Sequence, residues 1–284
     1  MNKVPVAARR RVAQPERYAR PNRAHRLCWA FCVWTSMMAL SLTADAATPE
    51  VARLISQFQN EPVFWRQSEI GEDIVKVARL GDLTALRPWL SHKDRRVRGN
   101  VAYLFAKLGD KRGLQALLGI LSDYSTDRAV NPETISILTS GDAKSTEEAF
   151  AEYKHSPGAI QGQIRSDRYY AVHLLGMLRD PRSVDVLIPL LDHDEVNYKV
   201  VWALGVIGDA RAIAPLIVEL NNSDPFLRVY AINALADLQA VEALPNLEGL
   251  FGDTAVTRYN DQVIVGTEAR NAAMRIRASS AGRE

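Results

Sequence analysis

One corner is written four times in this chain of 284 residues. Ile207-Gly208-Asp209 stands between two amphipathic pieces, in the stretch from Val200 to Leu220. The same corner recurs at Leu80-Gly81-Asp82, at Leu108-Gly109-Asp110 and, with arginine replacing glycine, at Leu178-Arg179-Asp180. A fixed period constrains the architecture more than any other sequence feature. Asp82 to Asp110 is 28 residues and Asp180 to Asp209 is 29. Asp110 to Asp180 is 70, one period plus an insertion of about 40. A degenerate corner, Leu238-Gln239-Ala240, ends 31 residues after Asp209.

The segments before the corners agree column by column. Residues 97–110, 167–180, 196–209 and 227–240 share Ala102/Val172/Val201/Ile232, then Phe105/Leu175/Leu204/Leu235, then Leu108/Leu178/Ile207/Leu238. Steps of three place these columns on one helical face. Ala106/Gly176/Gly205/Ala236 is always small, as expected where two helix backbones approach closely. The corner glycine can take positive φ and end the first helix, and the corner aspartate can cap the second. After each corner the apolar pattern restarts, as Leu114/Leu117/Leu121, Val184/Leu187/Leu191, Ile213/Leu216/Leu220 and Leu244/Leu247/Phe251. Pro181, Pro215 and Pro245 stand near the starts of these second helices, where a missing amide hydrogen is tolerated.

Each unit of about 30 residues is therefore a helical hairpin whose apolar face is buried only by stacking on its neighbours. The stretches 108–121 (LGDKRGLQALLGIL), 178–191 (LRDPRSVDVLIPLL) and 207–220 (IGDARAIAPLIVEL) carry a family resemblance. The chain resembles HEAT-repeat proteins of the short, phycobiliprotein-lyase-like class, over residues 62–278 apart from the insertion. The resemblance implies an all-α fold, a right-handed α-solenoid of stacked hairpins, with about five HEAT-like repeats plus a closing helix. The expected organisation is a signal peptide over 1–46, a lead-in over 47–61 and HEAT-like repeats over 62–123, the first an atypical cap. A polar insertion over 124–166 follows, then three repeats over 167–254, then a loop and closing helix over 255–284. Within the insertion, Ser145 and Glu148 have capping-box spacing, so 145–154 reads as a short helix.

The N-terminus is basic, then apolar, then small. Eight Lys and Arg crowd residues 1–26, an apolar run covers 27–42, and Ala44-Asp45-Ala46 has the form a signal peptidase cleaves. A helix of the 16 apolar residues would span roughly 24 Å, short of the ~30 Å bilayer core. The expectation is export, to the periplasm, with a membrane anchor only if cleavage fails. Without residues 1–46, 27 Lys and Arg face 31 Asp and Glu, net −4. An acidic body has no general attraction for nucleic acid. Cys28 and Cys32 are the two cysteines, so the body has no thiol for a disulfide, a metal or a nucleophile.

Equal positions of stacked repeats lie side by side. On the non-core face of the first helices the columns read Tyr103/His173/Trp202/Asn233, Gly99/Tyr169/Tyr198/Val229 and Asn100/Tyr170/Lys199/Tyr230. These form an aromatic stripe with polar tips, a composition enriched at binding surfaces. The same residues could instead pack as a second structural layer. A basic column, Arg98/Arg168/Asn197/Arg228, adjoins the stripe. A second, Arg112/Arg182/Arg211 and then Glu242, follows the corners and is expected to pair with the corner aspartates. The candidate partner-binding residues are Tyr103, Arg168, Tyr169, Tyr170, His173, Tyr198, Trp202 and Tyr230. The Phe64-Trp65-Arg66-Gln67 cluster is read as closing the exposed core of the first repeat.

No catalytic or metal site is legible. One HEAT-repeat enzyme, deoxyhypusine hydroxylase, holds two irons through His-Glu pairs at the starts of first helices. The matching positions here are Asn100-Val101, Tyr170-Ala171, Lys199-Val200 and Tyr230-Ala231. The histidines form no i, i+4 pair, and no nucleophile elbow or phosphate-binding glycine loop is present. HEAT-like DNA glycosylases use a basic channel, which the net charge disfavours. The sequence alone thus favours a non-catalytic scaffold or adaptor, without cofactor, that binds another protein or peptide. The alternative is a HEAT-type lyase or oxidoreductase-like enzyme acting on a bound ligand.

Overall fold

A computed structural model of the chain describes residues 47–125, 157–192, 196–257 and 260–281. The expected signal peptide, the helix at 145–154, His155 and the His193-Asp194-Glu195 run lie outside the described residues. The described residues belong to one compact unit, Ala47–Glu284. They are stacked helical hairpins, as the repeat requires. Among them no helix is long and apolar enough to cross a membrane.

The lead-in is a helix, α1 (Pro49–Asn60), whose first turn is capped by Thr48. Helix α2 (Phe64–Val77) and a 3-10 segment (Leu80–Ser91) form the first hairpin. Helices α3 (Arg95–Lys107) and α4 (Lys111–Leu121) form the second. The third has a long first helix, α5 (Pro157–Leu178), and a broken second arm. That arm runs as 3-10 over Pro181–Ser183, α6 (Val184–Leu187) and 3-10 over Ile188–Asp192. The fourth pairs α7 (Asn197–Ile207) with α8 (Ile213–Glu219), and the fifth pairs α9 (Pro225–Asp237) with α10 (Leu244–Gly249). A two-stranded antiparallel hairpin, β1 (Val256–Thr257) and β2 (Asn260–Ile264), leads into the closing helix α11 (Val265–Ala281).

Three corners behave as their residues dictate. Asp110, Asp180 and Asp209 each accept a hydrogen bond from the amide two residues on and pair with the arginine at that position, Arg112, Arg182 and Arg211. Arg211 also reaches Asp185 of the preceding hairpin at 2.7 Å, so the ladder crosses between repeats. Gly109 and Gly208 take φ of 88° and 82°, and Arg179 and Gln239 adopt the same left-handed turn at 55° and 53°. The corner at Leu80-Gly81-Asp82 is different. Gly81 has no positive φ, and the Asp82 carboxylate turns back to accept from the Arg79 amide at 2.8 Å. The first hairpin therefore turns by another route.

Two of the three expected first-helix columns are fully buried, whereas Leu108, Leu178 and Leu238 of the third are half-buried. Phe105, Leu175, Leu204 and Leu235 are all fully enclosed, as are Ala102, Val172, Val201 and Ile232. The small column sets the spacing of neighbouring first helices. A Cβ on Gly205 would lie 2.8 Å from Ala234 Cα, and one on Gly176 would lie 2.6 Å from the Trp202 ring. One apolar cluster runs from α3 to α11, and a second joins α1, α2, the 3-10 segment and α3.

The insertion is shorter than expected at its far end. Residues 157–166, read as loop, are the first turns of α5, which is 22 residues long. Buried Ile164 and the bond from Gln163 Nε2 to Asp167 (2.6 Å) fix this extension. Arg95 holds both margins. Its Nη1 donates to Asp167 at 3.0 Å and its Nη2 to Ser125 Oγ at 3.1 Å. Arg96 Nε adds a second bond to Asp167 at 3.1 Å.

Candidate functional site

The period of 29 residues lays α5, α7 and α9 side by side, and two rows of rings result. In the first, Tyr170 meets the edge of Phe64 at 5.0 Å and stacks on His173 at 6.2 Å. His173 stacks on Trp202 at 5.1 Å with 21° between planes, and Lys199 Nζ sits 3.7 Å from the Trp202 ring centre. In the second, Tyr198 lies 5.6 Å from Tyr169, 6.0 Å from Tyr230 and 5.8 Å from Phe226. Such offset and edge contacts are the favoured geometries of aromatic pairs. Gly176 leaves the space into which the Trp202 ring fits.

A cleft of about 370 Å³ opens where the two rows converge midway along α5. Its aromatic lining is Phe64, Tyr169, Tyr170 and Tyr198. Its polar lining is Arg96, Arg165 and Ser166. Among the described residues no carboxylate contributes to these walls. The Arg96 guanidinium lies 4.4 Å above the Phe64 ring, a cation–π contact that orients it. The Tyr170 hydroxyl donates to Asn100 Oδ1 at 2.6 Å. Asn100 Nδ2 donates to the Phe64 carbonyl at 2.8 Å and to Gln67 Oε1 at 2.9 Å. Gln67 in turn donates to the Phe58 carbonyl at 3.1 Å. This buried chain positions the back wall. A smaller cleft of about 220 Å³ lies further along, against Trp202, Tyr230 and Asn233.

The structure brings together Tyr169, Tyr170, His173, Tyr198, Trp202 and Tyr230, all half-buried along the two rows. Tyr103 and Arg168 differ from expectation. Tyr103 is 3% exposed and Arg168 is 1% exposed, so neither presents a surface. Arg168 donates from Nε to the Leu121 carbonyl at 2.9 Å and lies over the Tyr124 ring. Its column has the same structural duty elsewhere. Arg98 pairs with Asp123 and Arg228 with Asp253, each fastening the chain that leaves a second helix. The basic column is thus a brace, not the edge of a binding surface. Phe64, expected only to close a core, is a wall of the cleft, whereas Trp65 beside it is 44% exposed. Arg96 and Arg165, which line the cleft, were missed in the sequence. Their signal was adjacency of cations to aromatic columns.

Burial tunes the titratable groups. It pushes the Tyr169 and Tyr170 phenols up to about 12, so both stay protonated. It pushes His173 down to about 4, with the Lys199 charge as a second cause. His173 is therefore neutral, and its Nδ1 is buried without a hydrogen-bond partner among the described residues. Burial also lowers the Lys199 amine. Among the described residues no group of three or more His, Cys, Asp or Glu is arranged to hold a metal ion.

A family model described as HEAT repeats matches residues 161–218 and again 192–262. Residues 161–262 are HEAT repeats. Among curated proteins, the chain is similar to the bilin biosynthesis protein PecE of a Nostoc species, 38% identical over 84 residues. That match covers 28% of this chain and 33% of the relative. PecE of Mastigocladus laminosus is 38% identical over 84 residues, covering 28% and 31%. The phycocyanobilin lyase alpha subunit of Synechococcus elongatus is 36% identical over 92 residues, covering 28% and 34%. The chain spans about a third of the length of these relatives. A crystal structure of an engineered protein overlaps 81% of the chain and 98% of its own, at 19% identity and a TM-score of 0.34, too low to carry an argument.

The HEAT repeats here are thus related to those of phycobiliprotein-lyase-like proteins. That relationship overturns the expectation that the chain is not an enzyme. The expectation rested on missing catalytic motifs, and the similarity to proteins named for bilin biosynthesis and for a phycocyanobilin lyase overrides that ground.

Proposed function

We propose that the protein acts as a HEAT-type, lyase-like protein on a flat, conjugated acid held in the Phe64–Tyr170–Tyr198 cleft. The observation that carries this reading is the cleft's composition, four aromatic side chains and two guanidinium groups with no carboxylate among its described lining residues. Rings offer a stacking surface to a planar ligand, and Arg96 and Arg165 offer charge-assisted hydrogen bonds to its acid groups. The volume of about 370 Å³ is within the range of small-molecule sites. A bilin, a linear conjugated tetrapyrrole with two carboxylates, has this chemistry, and the relatives' names support that class. The repeat array is an interaction module, so the acceptor of a transferred ligand would be another protein docking along it. We also place the working protein outside the cytoplasm, on the strength of the basic, apolar and small N-terminal pattern. An N-terminus at Ala47 in protein from the native host supports export, and an intact Met1 in its membrane fraction sinks it.

Titration of the purified protein with phycocyanobilin, followed by visible absorbance, tests the ligand. Saturable binding is expected, and Arg165→Ala and Tyr198→Ala should each weaken it by about tenfold, or ~1.4 kcal/mol. Arg165 is exposed and makes no ion pair among the described residues, so its loss should leave the melting temperature unchanged. Absence of saturable binding, or equal binding by both folded variants, would reject the cleft as the site.

A further inference from the structure

Lys199 stands apart from the other lysines. It projects from α7 between Trp202, whose ring centre is 3.7 Å from Nζ, and Tyr169, whose ring centre is 5.3 Å away. Among the described residues its Nζ has no ion-pair partner and no hydrogen-bond acceptor. By contrast Lys76 pairs with Asp73 at 2.8 Å, and Lys107 donates to the Met177 carbonyl. Tyr169 lines the main cleft and Trp202 the smaller one, so Lys199 sits between the two. Its charged form has lost water on the ring faces and, among the described residues, has gained no carboxylate in return.

We propose that Lys199 is a reactive amine that forms an imine with an aldehyde or ketone carbonyl of a ligand lying in the cleft, a group that the lactam carbonyls of a bilin do not supply. The Nζ lone pair attacks the carbonyl carbon, and the carbonyl π pair moves to oxygen. Proton transfer from nitrogen to oxygen gives a carbinolamine, which expels its hydroxyl with one proton as water and leaves the C=N bond. Amine and carbonyl compound thus give imine and water, with no oxidant or reductant. A desolvated lysine in an apolar setting is the usual form of such a nucleophile, because the neutral amine is the reacting species. The lowered amine of Lys199 agrees with that, and the Tyr169 phenol, protonated to about pH 12, is a nearby acid for the departing hydroxyl.

The inference rests on the cleft being a ligand site, and the test separates the two. The purified protein is incubated with pyridoxal 5′-phosphate, a flat, anionic aldehyde. Imine absorbance is recorded, borohydride reduces the adduct and peptide mapping locates it. Most of the label should lie on Lys199. Lys199→Arg, which keeps the charge on the rings, should lose the label while keeping the parent's helical circular dichroism and melting temperature. Label spread evenly over exposed lysines such as Lys93 and Lys111, or undiminished imine in Lys199→Arg, overturns the proposal and leaves the cleft reading intact. Label on Lys199 in a protein that does not bind phycocyanobilin upholds the amine and rejects the bilin.

Discussion

The two ends of the array are held together differently. From α5 to α11 each hairpin repeats the same devices: an Asp–Arg corner or its degenerate form, a small residue at the helix crossing and a leucine behind it. From α1 to α3 the devices occur once. The second arm there is 3-10 with Pro88 inside it, the corner lacks positive φ, and a separate apolar cluster sits beneath. That end is joined to α5 by a polar chain, Gln67 to Asn100 to Tyr170, together with the Phe64–Tyr170 ring contact and the Arg95 and Arg96 bonds to Asp167. Helix α3 belongs to both apolar clusters and is the seam. A repeat meets the next copy of itself and can reuse one interface. A terminal cap meets no copy and needs its own.

The largest test of this contrast is Leu204→Ala. Leu204 is fully buried in the shared column, so the change should cost about 2–5 kcal/mol. Loss of amide protection should centre on α5 to α10, while α1 and α2 stay protected, because a repeat contacts mainly its neighbours. A shift in the denaturant midpoint worth less than about 1 kcal/mol would show that the column does not bear the stack. Uniform loss of protection would show that the two ends are one cooperative unit.

Asn100→Leu should have the next largest effect. It leaves the Tyr170 hydroxyl and the Gln67 amide oxygen buried without their present partner, at about 1–3 kcal/mol. Tyr170→Phe in the same background should then cost less than it does alone. Strict additivity of the two changes would mean that the bond does not couple the cap to the repeats.

The smallest effect is on pH. His173 is held neutral, with its folded-state value below the ordinary 6.5 and at about 4. Between these two values the unfolded chain binds the proton and the folded chain does not. Stability from this group is therefore complete above about 6.5 and falls as pH drops towards 4. The His173 ring resonances should titrate with a midpoint near 4, and His173→Phe should flatten the melting temperature across that window. A midpoint near 6.5 would mean that the ring is solvated, not stacked between Tyr170 and Trp202.

The repeat was legible because its marks are local. Asp110, Asp180 and Asp209 cap by short-range geometry, and the Leu204 column follows from helical period alone. The long α5 was not legible, since Gly158, Gly162 and Ser166 read as loop residues. Tertiary burial of Ile164 and the Gln163–Asp167 bond override that preference. Face assignment alone could place Tyr103 and Arg168 on the stripe, but not show that their neighbours cover them. The cleft was least legible, because Phe64 and Arg96 come from the region where the period is weakest. The contact of Phe64 with Tyr170 spans about 100 residues of sequence, and no repeat rule connects them.

The Arg95 clamp also makes the fold accommodating. Ser125 leaves the second hairpin and Asp167 lies inside the third, yet one guanidinium grips both. Whatever chain joins these points, the two hairpins keep their mutual register. Doubling the length of a flexible connection adds only about 0.6 kcal/mol of closure entropy. The junction is thus a natural cassette position, where a foreign peptide or a small domain can be spliced while the repeats on either side stay in place.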